Sequence, residues 1–265
     1  MPRLSANLSY LFTEVPFLDR FGAAARAGFR AVEFAFAYDV PTEAIAVQIS
    51  DNDLECVLIN APPGDLGLGE RGIAALPGRE SEFAESFATA LRYARALRCP
   101  RIHVMSGVMP GDANGEPRAH ARSTLVRNLR IACDEARQDG VTVLIEALNP
   151  HDVPNYLFST QAEAHAIRGE VGASNLKVQM DFYHTQMVEG GIVAKLERWL
   201  PYIGHIQIAG VPGRHEPDIG EINYAWLLRR LDELNYDGWV GCEYRPLRDT
   251  VSGLGWRERL LRREP

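Results

Sequence analysis

The sequence predicts an α/β protein, a single-domain (β/α)8 TIM barrel that spans residues 1–265. Eight short apolar runs, typical of buried parallel strands, alternate with longer segments of helical periodicity along the whole chain. Such strict alternation indicates parallel strands joined by right-handed crossovers. The chain has the usual length of this barrel and shows no linker or change in composition. We therefore expect a closed barrel rather than the competing open, doubly wound sheet.

The predicted strands are residues 4–11, 31–36, 54–60, 101–105, 141–148, 176–182, 205–209 and 239–243. Helical spacing between them is clearest in residues 79–97 and 223–235, where large apolar side chains recur at intervals of three and four. Thr160 and Glu163 predict a capping box at the start of the helix after the fifth strand. Three glycines stand just before a strand, where the turn from helix to strand needs a left-handed residue. They are Gly28, Gly140 and Gly238.

Charge and composition exclude several classes of protein. The formal net charge of -7 disfavours nucleic acid as a partner, since that partner requires a concentrated basic face. No stretch approaches the roughly 20 apolar residues of a membrane span, and the first ten residues do not resemble a signal peptide. The four cysteines, at positions 56, 99, 133 and 242, lack the C-x-x-C spacing and suit buried free thiols in a reducing compartment. We expect a soluble, cytoplasmic protein without a membrane partner; both a monomer and a homo-oligomer are compatible with this sequence.

Residues 67–72 match the G-x-G-x-x-G pattern of dinucleotide-binding loops. In such a loop the glycines follow the strand at once and open a helix, and an acidic residue follows about 20 positions later. Here Pro62 and Pro63 separate the strand from the glycines, and Leu91 and Arg92 occupy the later position. We therefore interpret this segment as a βα loop on the active-site face of the barrel.

The last four predicted strands each carry a polar side chain near the carboxyl end. They are Glu146, Asp181, Gln207 and Glu243. A single buried carboxylate in an apolar strand can be a hydrogen-bonded core residue. Four successive strands with this feature predict a common site, because these strand ends converge on one opening of a barrel.

Three clustered carboxylates raise one another's pKa, and a divalent cation relieves this conflict. Three carboxylates and an amide oxygen favour a hard cation, Mg2+ or Mn2+. Such a cation can bind a carbonyl and its neighbouring hydroxyl and stabilise an enediolate, while two glutamates move a proton between adjacent carbons. The residues therefore suggest metal-assisted aldose–ketose isomerisation.

Several motifs in this chain resemble those of hydroxypyruvate isomerases, in the superfamily of xylose-isomerase-like barrels. They are NLSYLFTEVPF at 7–17, NAPPGD at 60–65, HIQIA at 205–209, GRHEP at 213–217, GEINY at 220–224 and GCEY at 241–244. The resemblance covers the whole chain. It implies conversion of hydroxypyruvate to tartronate semialdehyde, or the same reaction on a close homologue such as a 2-oxo-tetronate.

The resemblance also implies roles for individual residues. Glu146 and Glu243 match the family's paired catalytic glutamates, which bind the metal as well. Asp181 and Gln207 match its remaining metal ligands. The substrate-binding residues it implies are His184, which contacts substrate oxygens in relatives, and Arg214, which we expect at the substrate carboxylate.

Two positions depart from the family pattern, and other functions share the fold. Ala147 follows Glu146 where a proline is expected, and Ala209 stands after Gln207 where an acidic residue is common. The same barrel also serves ketose 3-epimerases, inosose-type enzymes, zinc endonucleases and, in principle, a non-catalytic binder of small acids. A nuclease requires additional histidine ligands and a basic surface. The strand histidines His103 and His205 are read as core residues, although His103 could border the pocket.

Overall fold

The computed structural model describes residues 2–109 and 115–261, in which eight parallel strands close into a barrel. The strands follow one another in chain order, and the last pairs with the first. They are β1 (Arg3–Asn7), β2 (Ala31–Phe34), β3 (Glu55–Asn60), β4 (Arg101–His103), β5 (Thr142–Glu146), β6 (Leu176–Asp181), β7 (Ile203–Ile208) and β8 (Trp239–Cys242). The predicted barrel is confirmed, and the open sheet is excluded because β1 and β8 are hydrogen-bonded neighbours.

Ten α-helices surround the barrel in the described part of the chain. They are α1 (Phe17–Arg26), α2 (Thr42–Asp51), α3 (Glu80–Leu97), α4 (Glu116–Arg137), α5 (Gln161–Val171), α6 (Phe182–Val188), α7 (Ile192–Trp199), α8 (Tyr224–Glu233), α9 (Thr250–Gly253) and α10 (Trp256–Leu261). The count exceeds the predicted eight because the segments after β6 and after β8 each form two helices, and the segment after β6 divides at Gly190 and Gly191. Both of these glycines have positive φ, which ends one helix before the next begins.

Local signals in the sequence place the helix ends well. The capping box is present, since the Thr160 side chain accepts from the Glu163 backbone and the Glu163 side chain accepts from Thr160 in return. Gly28 and Gly140 adopt the expected left-handed conformation. Gly238 does not, because Asn235, directly after the turn that ends α8, takes the left-handed position instead.

Seven of the eight strands end earlier than the sequence predicts, and three of these differences bear on the site. The first strand ends at Asn7, where the backbone turns and the amides of Tyr10 and Leu11 donate to the Asn7 carbonyl. The fourth ends at His103 and the eighth at Cys242. Glu243 therefore stands just beyond a strand, whereas Glu146 and Asp181 are the last residues of β5 and β6.

The glycine-rich segment does not open an α-helix. Residues Leu66–Leu68 form a short 3-10 helix whose first backbone amides donate to the Asp65 side chain, and α3 begins only at Glu80. At Gly72 a Cβ atom would lie 2.1 Å from the Met105 carbonyl oxygen, so this glycine permits the loop to pack closely on the segment after β4. This geometry supports the reading as a βα loop over the barrel mouth.

Two further features agree with the composition. All four cysteines are buried and free of disulfides. Within the residues that the structure describes, no helix is long and apolar enough to cross a membrane.

Candidate active site

Three side chains at the carboxyl ends of β5 and β6 form the centre of the site. Glu146, Asp181 and His184 each offer a ligand atom, and these atoms lie within 4.8 Å of one another. Asp181 ends β6 and also begins α6, because its Oδ1 accepts the backbone amide of Tyr183 at 2.8 Å. The following helical turn places His184 beside the carboxylates, with its Nε2 3.7 Å from the Oδ2 of Asp181.

Gln207 and Glu243 complete the predicted polar group. Gln207 is buried and pairs with Asp181 in the strand register. Glu243 follows β8 directly, and its side chain is only 14% exposed. The structure therefore brings the four predicted oxygen donors to one end of the barrel, as parallel strands require.

The carboxylates carry oxygens that nothing in the described chain satisfies. Glu146 Oε1 and Asp181 Oδ2 are buried and have no hydrogen-bond partner in the residues described. A buried carboxylate oxygen left without a partner is costly. Two such oxygens in one cluster fit a hard divalent cation, while Glu243 lies outside the group of ligand atoms that are within 4.8 Å of one another.

Burial and mutual repulsion shift the pKa values of these acids upwards. Burial raises the pKa of Glu146 well above its ordinary value, and the charges of Glu243 and Asp181 raise it further. Burial raises the pKa of Glu243 to about 8, although Arg214 acts in the opposite direction. Burial likewise raises the pKa of Asp181 to about 6 against the effect of Arg214. Carboxyl groups with raised pKa values can exchange protons near neutral pH.

His184 is better suited to donate a hydrogen bond than to bind a cation. Its Nδ1 accepts the backbone amide of Asn149 at 3.2 Å, and the Asn149 side-chain nitrogen lies 2.7 Å from the same atom. Nδ1 is therefore the acceptor, so Nε2 carries the proton and has no free lone pair. Burial, followed by the charge of Arg214, lowers the pKa of His184 well below its ordinary value, and the ring is neutral.

The Arg214 side chain lies beside the carboxylates of Glu243 and Asp181, and backbone hydrogen bonds fix the conformation of the residue. Its Nη2 is 2.9 Å from Glu243 Oε2 and 3.7 Å from Asp181 Oδ2. The residue has a φ of 55°. Its backbone amide donates to Gly210, and its carbonyl accepts from Arg245. These contacts fix a strained backbone that directs the side chain into the barrel mouth.

Two aromatic rings and a third carboxylate enclose the Arg214 guanidinium. Its central carbon lies 5.0 Å from the ring of Tyr10 and 4.9 Å from that of Tyr183. Nη1 donates to Asp152 Oδ2 at 3.3 Å, and the Tyr183 hydroxyl donates to the other oxygen of Asp152. The buried Nε has no partner in the described chain. It is therefore free to donate to an anionic ligand.

His103 is buried and lies beside Glu146, which agrees with the alternative that it borders the pocket. It ends β4, is 2% exposed, and neither ring nitrogen has a hydrogen-bond partner among the described residues. Its Nε2 lies 3.7 Å from Glu146 Oε2. Burial lowers its pKa to about 3, so the imidazole is neutral. His205 is the core residue of the pair, since its Nε2 bonds to Glu33 at 2.8 Å.

Glu33 and Gln179 belong to the site and were missed from the sequence. Glu33 is fully buried in β2 and contacts Gln207. Gln179 donates to both Glu146 and Gln207. A signal for Glu33 was present, because residues 31–34 place a carboxylate inside an apolar strand just as residues 142–146 do.

Comparison with known proteins finds relatives that align with nearly the full length of this chain. Residues 21–260 match a family model described as the xylose isomerase-like TIM barrel. The chain is 52% identical over 263 residues to a 2-oxo-tetronate isomerase of Cupriavidus necator, covering 99% of this chain and 100% of that protein. It is 45% identical over 258 residues to a hydroxypyruvate isomerase of Escherichia coli, covering 97% and 99%. A crystal structure from Brucella melitensis, called AP endonuclease, family 2, has a TM-score of 0.94 and 46% identity, covering 98% and 99%.

Proposed function

The chain belongs to the xylose isomerase-like TIM barrel family, and from this premise we propose that it isomerises a small 2-oxo-3-hydroxy acid. The reaction moves the carbonyl from carbon 2 to carbon 3, and hydroxypyruvate would give tartronate semialdehyde. The four-carbon 2-oxo-tetronate is the substrate named for the 52% identical relative. Both acids carry the carboxylate and the adjacent hydroxy-carbonyl pair that the site suits.

The observation that carries this proposal is the pair of buried glutamates with raised pKa values. Glu146 and Glu243 come from β5 and from the end of β8, and both lie in the same enclosed polar group. In the metal-free protein burial raises the pKa of Glu243, and a carboxylate held out of solvent is a stronger base than an exposed one. In the proposed reaction one glutamate removes the proton from carbon 3, and the other delivers a proton to carbon 2. The proton of the carbon-3 hydroxyl passes to the carbon-2 oxygen, so that carbon 3 becomes the carbonyl and carbon 2 carries the hydroxyl.

The residues that would hold a divalent cation are Glu146, Asp181, Gln207 and Glu243, an oxygen set that suits Mg2+ or Mn2+. When bound, such a cation supplies charge stabilisation for the oxygens of the hydroxy-carbonyl pair.

Side chains around this set would orient the substrate. His184 would donate a hydrogen bond from Nε2 to a substrate oxygen, and the neutral His103 lies beside Glu146. Arg214 offers its unpartnered Nε to the substrate carboxylate. All three side chains are nearly buried, which excludes water from the reacting carbons.

The test is an isomerisation assay in D2O with hydroxypyruvate and 2-oxo-tetronate as substrates. We expect turnover of at least one acid, loss of turnover after chelation, and recovery with Mg2+ or Mn2+. The product should carry deuterium at carbon 2, because the delivering glutamate takes its proton from solvent. A product without deuterium would instead indicate a hydride shift and would overturn the role of the two glutamates.

A nuclease function is the rival that the Brucella name raises. The acidic group in the described residues includes one histidine, His184, and its Nδ1 lone pair is already used by Asn149. The chain is also acidic, with a net charge of -7. We expect no cleavage of abasic DNA under conditions that support isomerisation.

We also propose that the enzyme acts in the cytoplasm, because four buried free thiols suit a reducing compartment.

A further inference from the structure

Glu33 is a carboxylate with no exposure to solvent, surrounded by hydrogen-bond donors in the centre of the barrel. Its Oε2 accepts from the Ser5 hydroxyl at 2.7 Å and lies 2.8 Å from Nε2 of His205. Its Oε1 accepts from the side-chain amides of Asn7 at 3.2 Å and Gln207 at 2.7 Å. Each oxygen therefore has two partners, and the charge is compensated entirely from within the barrel.

The barrel keeps space for this carboxylate at one specific point. A Cβ atom on Gly241 of β8 would lie 2.3 Å from Glu33 Oε1 and 2.5 Å from Oε2. No real side chain tolerates such a distance, so the absence of a side chain at residue 241 lets the carboxylate occupy the centre. The space and the four donors indicate a built site for a permanent negative charge.

The contact with Glu33 fixes the donor end of the Gln207 amide, and a contact with Gln179 fixes its acceptor end. An amide has a donor end and an acceptor end, and the carboxylate can only accept from the donor end. Gln207 Nε2 therefore faces Glu33, and its Oε1 is directed to the opposite side. There Oε1 accepts from Gln179 Nε2 at 2.6 Å, and the same nitrogen donates to Glu146 Oε2 at 2.9 Å. The amide oxygen thus lies on the side of the carboxylate group.

We propose that Glu33 is a positioning residue that holds the oxygen of Gln207 toward the cation site. This inference rests on the proposed function in taking Gln207 as a ligand. A reversed amide would present N–H groups, which offer a cation no lone pair. Groups behind a metal ligand often fix its orientation in this way, and their loss typically weakens binding by about 10–100-fold.

The first test compares two variants at Glu33 by titrating chelator-treated protein with Mn2+ and measuring free Mn2+ by electron paramagnetic resonance. Glu33→Ala leaves no acceptor for Gln207, and we expect Mn2+ affinity to fall by about 10–100-fold. Glu33→Gln can keep an oxygen at the Oε1 position, because the Ser5 hydroxyl and the His205 ring can each become the acceptor. We expect this variant to bind Mn2+ within a few fold of the native chain. Equal losses in both variants would show that charge acts rather than orientation, and would overturn the proposal.

Ser5→Ala is the matched control. It removes a donor from Oε2 of Glu33 but leaves the contact between Oε1 and Gln207 in place. We expect a lower melting temperature with unchanged Mn2+ affinity. If Ser5→Ala weakens Mn2+ binding as much as Glu33→Ala does, the effect is a general loss of barrel structure and the proposal fails.

A metal-free measurement separates this inference from the proposed function. In protein labelled with 15N at glutamine side chains, the Gln207 amide hydrogens should exchange slowly with solvent while they donate to Glu33. Exchange should be fast in Glu33→Ala and slow in Glu33→Gln. Identical exchange in the native chain and Glu33→Ala overturns the positioning role. Absence of Mn2+ binding by the native chain overturns the proposed cation, while the exchange rates still decide the amide orientation.

If Glu33→Ala does not fold, a second pair of variants tests whether Glu33 positions residue 207. Gln207→Glu places a second carboxylate about where Gln207 Nε2 lies 2.7 Å from Glu33. In the native background the two carboxylates would share a proton, so we expect little gain in Mn2+ affinity. In the Glu33→Gln background the new carboxylate has a donor, and we expect affinity to rise at least tenfold. Equal gains in the two backgrounds would overturn the coupling.

Discussion

The Nη2 atom of Arg214 lies 2.9 Å from Oε2 of Glu243, which makes this guanidinium the internal counter-ion of the acidic group. Burial of both side chains strengthens the contact, since a low-dielectric interior weakens charge interactions less than water does. The pair joins the residue expected to bind the substrate carboxylate to one expected to move a proton. Changes at either position should therefore alter both binding and pH dependence.

Glu243→Gln should lower kcat by about 100-fold or more, the typical cost of a lost general base. The substitution keeps the size of the side chain and one oxygen, but removes the group that ionises. Folding should be retained, because one of several clustered carboxylates is neutralised. Steady-state kinetics with the acid substrate provide the measurement. Glu197→Gln, at an exposed ion pair with Arg230, is the control, and near-native turnover of Glu243→Gln would refute its role.

Arg214→Ala should act mainly on KM for an acid substrate, with a loss of at least tenfold, as for a charged hydrogen bond worth about 1.5–3 kcal/mol. An uncharged hydroxy-ketone should be much less affected. Because Arg214 lowers the pKa of Glu243, its removal should also shift the acidic limb of the pH profile to higher pH. Kinetics with both substrates across pH test this, with Arg230→Ala as the exposed control. Equal losses for both substrates would contradict binding of the carboxylate.

Gln207→His should change which metal activates the enzyme. The native oxygen set favours Mg2+ or Mn2+, whereas a histidine nitrogen suits Co2+ or Zn2+. The carboxylates should still form the site in the variant. The measurement is turnover after chelation and titration with each metal, in the native chain and in Gln207→His. Full activity of the stripped native enzyme would end the metal hypothesis, and an unchanged metal ranking would remove Gln207 from the ligand set.

The metal-free protein should lose stability as pH rises from about 6.5 to 8. Glu243 has a pKa of about 8 in the fold against an ordinary value of 4.5, so in this range the folded state holds a proton that the unfolded chain has released. Each proton held in this way adds up to about 1.4 kcal/mol per pH unit to the slope, and the raised pKa of Glu146 acts in the same direction. The pKa values of His103 and His184 are lowered from 6.5, so these histidines have the opposite effect, but only below that pH. Urea unfolding at several pH values tests this, and Glu243→Gln should reduce the slope. A rise in stability over this range would contradict the shift.

His103→Leu should make the protein more stable and less active. Both ring nitrogens of His103 are buried without partners in the described chain, a cost of about 1–3 kcal/mol for each unsatisfied group, so leucine should raise the melting temperature. Loss of the imidazole beside Glu146 should lower kcat/KM by at least tenfold. Thermal unfolding and kinetics measure the two effects. His165→Leu is the matched control, since that ring has unpartnered nitrogens but stacks on Trp199 instead of lining the site. A less stable, fully active His103→Leu would make His103 a packing residue.

Local patterns in the sequence were sufficient to predict the barrel and the end of it at which the polar side chains of the candidate site meet. Strand and helix periodicities depend on neighbours within a few residues, and so does the capping box at Thr160. Parallel strands bring all their carboxyl ends together, so the positions of Glu146, Asp181 and Glu243 followed from the strand assignment alone. Their burial and their shared location could be predicted without knowledge of individual contacts.

Only the tertiary structure decided what similar residues do. His103 and His205 are both histidines in apolar strands, yet His205 bonds to Glu33, 172 positions away, and His103 has no partner in the described chain. Glu33 and Glu146 are both carboxylates inside apolar strands. Four hydrogen-bond donors surround Glu33, whereas Oε1 of Glu146 has no partner in the described chain. The direction of the Gln207 amide likewise depends on a contact across 174 positions. Hydrogen-bond satisfaction in a closed barrel is set by residues distant in sequence, and no local periodicity encodes it.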